Sequence, residues 1–206
     1  MALVMAKDFH GRGLLRAAVL VPWAIPTAIT AKLWAFLFSE QGIVNSIFHA
    51  HVAWQTDPWA ARFSIILADV WKTTPFMALL ILAGLQMIPK DLYEAARMDG
   101  ANAWQRFTRI TLPLAKNSII VAVLFRMLDA LRMYDLPYIM VGPNPDSPTA
   151  TLSQLVVAAI RQDHVNAASA LSTLIFLLIF LIALCFVKSL GSKVAHQAEP
   201  VVAEEE

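Results

Sequence analysis

Residues 63–116 read FSIILADVWKTTPFMALLILAGLQMIPKDLYEAARMDGANAWQRFTRITLPLAK. The part from Phe63 to Met87 is mostly apolar and long enough to cross a bilayer, which takes about 20 such residues. Pro89 stops it, since proline has no N–H and its ring collides with the preceding turn. The remainder, 89–116, carries Lys90, Arg97, Arg106, Arg109 and Lys116. A spanning run followed by a short basic loop is the pattern of a multi-pass membrane protein with that loop in the cytoplasm.

The rest of the chain fits this frame. Of its 206 residues, 58% are hydrophobic and only 15% charged, against about 25% charged in soluble domains. The mean hydropathy is +0.61. These values exclude a disordered chain, a disulfide scaffold and most soluble enzymes. The net charge of +1 gives no broad field to attract nucleic acid. The single cysteine, Cys185, lies in an apolar run and reads as packing.

Three further spans are expected: Ala17–Phe38, Asn117–Leu136 and Ser169–Val187. The last is almost wholly apolar. Basic residues then fix the orientation. Lys7, Arg12 and Arg16 precede the first span and Lys188 and Lys193 follow the fourth, on the same side as the 89–116 loop. Only Arg62 and Arg161 fall opposite. The 39–62 and 137–168 loops are therefore expected outside, with Trp34, Trp54 and Trp59 at the outer boundary. The fold class is all-α: four transmembrane helices in residues 1–190, preceded by the short apolar stub MALVMA, and a disordered cytoplasmic tail at 191–206. The stub is too short to span, and reads either as a short N-terminal tail or as the end of an upstream helix.

The 89–116 loop has internal order. Asp91 and Glu94 have capping-box spacing before the short helix LYEAARM. Gly100 supplies a helix stop in which a left-handed backbone costs nothing. A second short helix is expected at 101–108, with Pro113 separating it from the next span.

Ionisable residues inside spans are functional candidates by default. Asp69 and Lys72 are three apart and expected to pair on one helix. Lys72, Thr73 and Thr74 then sit beside a polar path. Arg126, Asp129, Arg132 and Asp135 form a ladder of alternating sign. Steps of three drift around a helix with 3.6 residues per turn, so the ladder cannot all face lipid. Tyr134 and Tyr138, four apart, can present an aromatic face. The candidate substrate pathway is thus Lys72, Thr73, Asp129, Arg132, Tyr134 and Asp135, with helix–helix adhesion as the competing role. No metal site is expected: His49 and His51 are the only close histidine pair, and no HExxH or CxxC pattern accompanies them. There is no glycine-rich phosphate loop and no GxSxG elbow. A chain of this kind that moved a solute uphill would need energy from a partner.

The segment EAARMDGANAWQRFTRITLP closely resembles the signature loop of bacterial ABC-importer permeases. The matching positions are Glu94, Ala95, Ala96, Asp99, Gly100, Ala101, Ile110, Leu112 and Pro113. In that family this loop is the coupling helix, which docks in a cleft of a cytoplasmic ATPase subunit. The flanks LVPWAIPTAITAKLWAFLF, DVWKTTPFMALLILAGLQMIPK and MYDLPYIMVGPNPDSPTATLS resemble the carbohydrate-uptake branch, of the maltose, trehalose and glycerol-phosphate type. The resemblance covers roughly residues 12–187. It departs in two places: relatives generally have six spans, and many have a glycine-rich stretch where this chain has Val141-Gly142-Pro143-Asn144-Pro145.

The resemblance implies a permease subunit in a bacterial cell membrane that is not itself an enzyme. Its cargo would be a sugar, a disaccharide such as trehalose or maltose. Its partners would be a second homologous permease, two ATPase subunits that carry the ATP and Mg, and an extracytoplasmic solute-binding protein. The chain itself would bind no cofactor. Three alternatives stand beside this reading: a permease for amino acids, peptides or oxyanions; a membrane-embedded enzyme using Asp129, Asp135 or the histidines; and a non-functional fragment.

Overall fold

The computed structural model describes residues 1–6, 9–49, 51–144 and 146–195, with side chains to Lys188. The described residues form helices and no strand. Expectations resting on Lys7, Lys193 and 196–206 fall outside what is described. In chain order the helices are α1 (Ala2–Met5), α2 (Arg12–Ala24), α3 (Thr27–Leu37), α4 (Ile43–Phe48), α5 (Pro58–Gln86) and α6 (Lys90–Met98). They continue with α7 (Ala103–Arg106), a π turn (Phe107–Thr111), α8 (Leu112–Leu131), α9 (Asp135–Met140), α10 (Leu152–Arg161) and α11 (Val165–Ala195).

Three helical stretches are long and apolar enough to cross a membrane: Pro58–Gln86, Ala103–Leu131 and Val165–Lys188. The first expected span, 17–38, is instead broken. α2 and α3 meet at 86°. Proline explains the break: Ile25 precedes Pro26, and a residue before proline is pushed out of the helical region. Ile25 accordingly has φ −70 and ψ 133. Counted as one span, this pair makes four.

The third span also differs from expectation. α7, the π turn and α8 run on as one 29-residue stretch, so Pro113 does not separate loop from membrane helix. The Pro113 ring would strike the Arg109 carbonyl in a regular α-helix. Widening the turn relieves this: the Leu112 N–H bonds to the Phe107 carbonyl, five residues back. At its other end the helix stops at Leu131, short of Leu136, so Arg132 is its C-cap and Asp135 opens α9. α11 runs to Ala195, into the segment expected as tail.

The helices pack through small residues. Buried positions on α5 include Ala61, Ser64, Ala68, Ala78 and Gly84, and on α8 Ala115 and Ala122. This is the membrane solution, in which close backbone approach replaces a hydrophobic driving force. At Gly84 it is at its tightest: a Cβ there would lie 2.0 Å from Ser118 Oγ and 2.4 Å from Ser118 Cβ. One core gathers Ala31, Phe38, Ile65, Ala68, Leu136 and Met140, where α3, α5 and α9 meet. A second joins Met5 of the stub to Ala78 and Leu82 of α5.

The segment between α3 and α5 is ordered by Asn45. Its amide donates to the carbonyls of Glu40 (3.1 Å) and Val52 (3.0 Å) and accepts from Trp54 Nε1 (2.8 Å). Trp54 packs at a tilt of 54° against Phe38, which stacks on Trp34. Trp34 and Trp54 thus belong to one aromatic cluster, while Trp59 is exposed beneath the Arg62 guanidinium. α10 lies within the 137–168 segment expected as an outer loop. Its start is a capping box between Thr151 and Gln154.

Candidate functional site

Two regions hold the residues singled out in the sequence. The first is the loop after α5. α6 begins at Lys90 with Pro89 before it, so Asp91 is not the N-cap and the expected Asp91–Glu94 box does not form. The stop is as expected. Gly100 has φ +76. Its N–H bonds to the Arg97 carbonyl, and Ala101 N–H to the Ala96 carbonyl. Those two bonds are the Schellman closure, satisfying carbonyls that a helix end leaves orphaned.

The chain restarts at once. Asn102 caps α7 in a reciprocal box with Gln105, at 2.9 and 2.8 Å. Arg106 reaches back to the Ala101 carbonyl. Tyr93 Oη and Thr111 Oγ1, 3.0 Å apart, tie α6 to the π turn. The result is a rigid elbow with a small-residue tip. Glu94, Ala95, Asp99 and Gly100 are exposed there, and Ala96 and Ala101 half-exposed. Leu92, Met98 and Trp104 add apolar surface, Met98 at 89% exposure. Ile110 is half-buried, while Leu112 and Pro113 are exposed. Glu94, Arg97 and Asp99, all exposed, place charge around this apolar surface.

The second region lies between α5 and α8. A cavity of about 240 Å³ is lined by Thr27, Asp69, Lys72, Thr73, Asp129, Arg132, Met133, Tyr134, Asp135 and Leu136. All six residues read as a substrate pathway stand around it. Tyr134 and Tyr138 stack with centroids 5.0 Å apart and planes at 25°. Tyr138 Oη accepts from Arg161 of α10 at 2.8 Å.

The pairing differs from the sequence reading. Asp69 does not pair with Lys72 but with Arg126 of α8. Arg126 also bonds Asp129 at 3.1 Å, and Arg132 lies 3.6 Å from Asp129. Lys72 instead donates to the carbonyl of Ile25, at the break between α2 and α3. Spacing along one helix could not reveal this, because both partners come from other helices. Thr73 Oγ1 turns back to the Asp69 carbonyl at 2.7 Å, the usual way a helical threonine satisfies its hydroxyl in a membrane. The cavity therefore carries donors, acceptors, both signs of charge and an aromatic face, which is a lining suited to a polyhydroxylated solute. No cluster of three or more metal-ligating side chains occurs among the described residues.

Comparison with known proteins gives a consistent picture. Residues 1–196 match the family described as "Binding-protein-dependent transport system inner membrane component". The trehalose/maltose transport system permease protein MalF of Thermococcus litoralis is 44% identical over 192 residues, which is 91% of this chain and 65% of that protein. The trehalose transport system permease protein SugA of Mycobacterium tuberculosis (strain H37Rv) is 39% identical over 194 residues, 93% of this chain and 62% of that one. The chain thus spans less than two thirds of the length of these curated relatives. A crystal structure of a bacterial alginate ABC transporter in complex with alginate pentasaccharide-bound periplasmic protein superposes with a TM-score of 0.77 at 26% identity. It covers 90% of this chain and 67% of that one.

Proposed function

The chain belongs to the family of binding-protein-dependent transport system inner membrane components, and we propose that it forms half of the translocation pathway of an ATP-driven sugar importer. A second homologous permease supplies the other half. Two cytoplasmic ATPase subunits bind the permeases, and an extracytoplasmic solute-binding protein delivers the cargo. The cargo is a sugar, a disaccharide such as trehalose or maltose being the narrowest reading that the relatives named above support. The 89–116 loop and the C-terminus lie in the cytoplasm, a reading that the distribution of lysine and arginine supports.

The observation that carries this reading is the elbow at Glu94–Ala101. It is exposed, small at its tip and fixed where its two helices meet by the Gly100 closure and the Asn102 cap. α5 joins it directly to Asp69, Lys72 and Thr73 at the cavity. ATP-driven closure of the ATPases moves the elbow, and the rocking of packed helices switches the cavity from one side to the other. The chain performs no covalent chemistry. ATP and its Mg belong to the partner ATPases.

The test is uptake by the complete transporter in proteoliposomes, with radiolabelled trehalose, maltose, an amino acid, a peptide and an oxyanion. ATP-dependent accumulation of a disaccharide is expected, lost in Glu94→Lys and Gly100→Pro while the binding protein still docks. Accumulation of only the non-sugar solutes, or full sugar uptake in both variants, would refute the reading.

A further inference from the structure

α6 stands between two joints. Pro89 enters it with an extended backbone, φ −58 and ψ 136, and Gly100 leaves it at φ +76. α6 buries no residue of its own. A cavity of about 560 Å³ lies between it and the membrane helices, lined by Tyr93, Glu94 and Arg97 on α6, by Leu85 and Gln86 on α5 and by Thr111 on the π turn. The 3.0 Å contact of Tyr93 Oη with Thr111 Oγ1 bridges the two walls. Among the described residues, Tyr93 is the one side chain from Asp91 to Met98 that hydrogen-bonds to another element. Thr111 is buried, at 7% exposure, and its hydroxyl also donates to the Arg106 carbonyl at 3.4 Å. With its one proton so used, Thr111 accepts from Tyr93. Arg106 in turn reaches the Ala101 carbonyl at the corner.

We infer that Tyr93 and Thr111 are positioning residues for coupling: their hydroxyl pair braces the elbow across its two arms, so that a load on α6 reaches α8 as well as α5. The inference rests on the proposed function, in which the ATPases move the elbow. Tyr93 lies seven residues before Gly100, about 10 Å along α6 at 1.5 Å per residue. A corner held at its vertex alone yields by rotation of a few backbone dihedrals, and over this length the rotation grows into displacement. A strut at the far end of the arm blocks it. Thr111, the other end of the strut, closes the π turn directly before α8. α8 and its C-cap carry Asp129 and Arg132 to the cavity that α5 lines with Asp69, Lys72 and Thr73. With the strut in place both walls of that cavity move together. Without it α6 swings about its joints, and ATP is hydrolysed while the loop bends.

Proteoliposomes holding the complete transporter, with ATP hydrolysis and uptake of radiolabelled trehalose and maltose measured together, test this. Tyr93→Phe and Thr111→Val each delete a hydroxyl and keep the shape of the side chain. Both should hydrolyse ATP at the wild-type rate when the loaded binding protein is present, yet import about 2- to 12-fold less sugar per ATP, the worth of one hydrogen bond. The double variant should be no worse than Thr111→Val alone, because the two hydroxyls form one contact. Thr111→Ser keeps the hydroxyl and should import as the wild type does. An unchanged ratio of sugar to ATP in the single variants, additive losses in the double variant, an equal loss in Thr111→Ser, or failure of Tyr93→Phe to assemble would each overturn the inference. Amide exchange along α6 reads the brace without cargo, and Tyr93→Phe should speed it by about 2- to 12-fold. Absence of sugar import in the wild type refutes the proposed function, whereas unchanged exchange in Tyr93→Phe refutes the brace alone.

Discussion

Gly84→Ala separates two opposed effects at one position. Within a helix, alanine is favoured over glycine by about 1 kcal/mol, so propensity alone predicts a more stable protein. The packing predicts the reverse. The new methyl would sit 2.4 Å from Ser118 Cβ, whereas carbon atoms rest at about 3.5–4.0 Å. Rotating the serine hydroxyl relieves the Oγ contact but not the Cβ contact, since Cβ is fixed to the α8 backbone. α5 and α8 must therefore part by roughly 1–1.5 Å. Overpacking of this kind costs about 1–3 kcal/mol. The net expectation is destabilisation of up to about 2 kcal/mol. The same displacement widens the gap between Asp69 and Arg126, so uptake falls as well. Thermal unfolding in detergent and uptake in proteoliposomes measure the two. Ser118→Gly in the Gly84→Ala background removes the obstructing Cβ and should restore both. A Gly84→Ala variant at least as stable as wild type, or a double variant no better than the single, would refute the argument that this contact sets the helix spacing.

Asn45→Leu removes three hydrogen bonds from a buried side chain and leaves two carbonyls and an indole N–H unpartnered. It should cost about 2–4 kcal/mol in thermal unfolding, with loss of Trp54 fluorescence anisotropy. Lys72→Met frees the Ile25 carbonyl and should cost about 1.5–3 kcal/mol, the worth of a hydrogen bond from a charged donor; Lys72→Gln, which keeps a donor, should recover part of it. Gly100→Ala meets nothing within 4 Å, so its cost is backbone alone, about 1–2 kcal/mol. Amide exchange along α6 should accelerate by about 5- to 30-fold. An unchanged exchange rate would mean that the closure does not hold α6.

The parts legible in the sequence are those decided by local chemistry. α11 is apolar from Leu174 to Val187, and nothing competes with that reading. Gly100 announced its left-handed turn because α6 ends there on small and polar residues. The six cavity residues stood out as polar groups in apolar surroundings, and the fold gathers them. What local reading could not reach were decisions made between helices. Asp69 pairs with Arg126 of α8 and not with Lys72 on its own helix. Lys72 was claimed by a helix end 47 residues away. Pro113 looked like a stop because the sequence does not reveal that a π turn can carry a proline through. Pro26 was the opposite case: the sequence marked the break, and hydropathy hid it by running apolar residues across it. α10 had a usable signal, Thr151 three residues before Gln154 ahead of an apolar run.

The central claim is that the elbow after α5 touches the ATPase. Site-specific cross-linking reads this directly. In a complete transporter whose permease carries Cys185→Ser, Ala95→Cys is paired with a short thiol-to-amine cross-linker, and Phe48→Cys on the 39–62 segment serves as the control. Both positions are exposed. A covalent adduct is expected between Ala95→Cys and the ATPase subunit, weakened by Glu94→Lys, and none from Phe48→Cys. An ATPase adduct from Phe48→Cys and none from Ala95→Cys would contradict it.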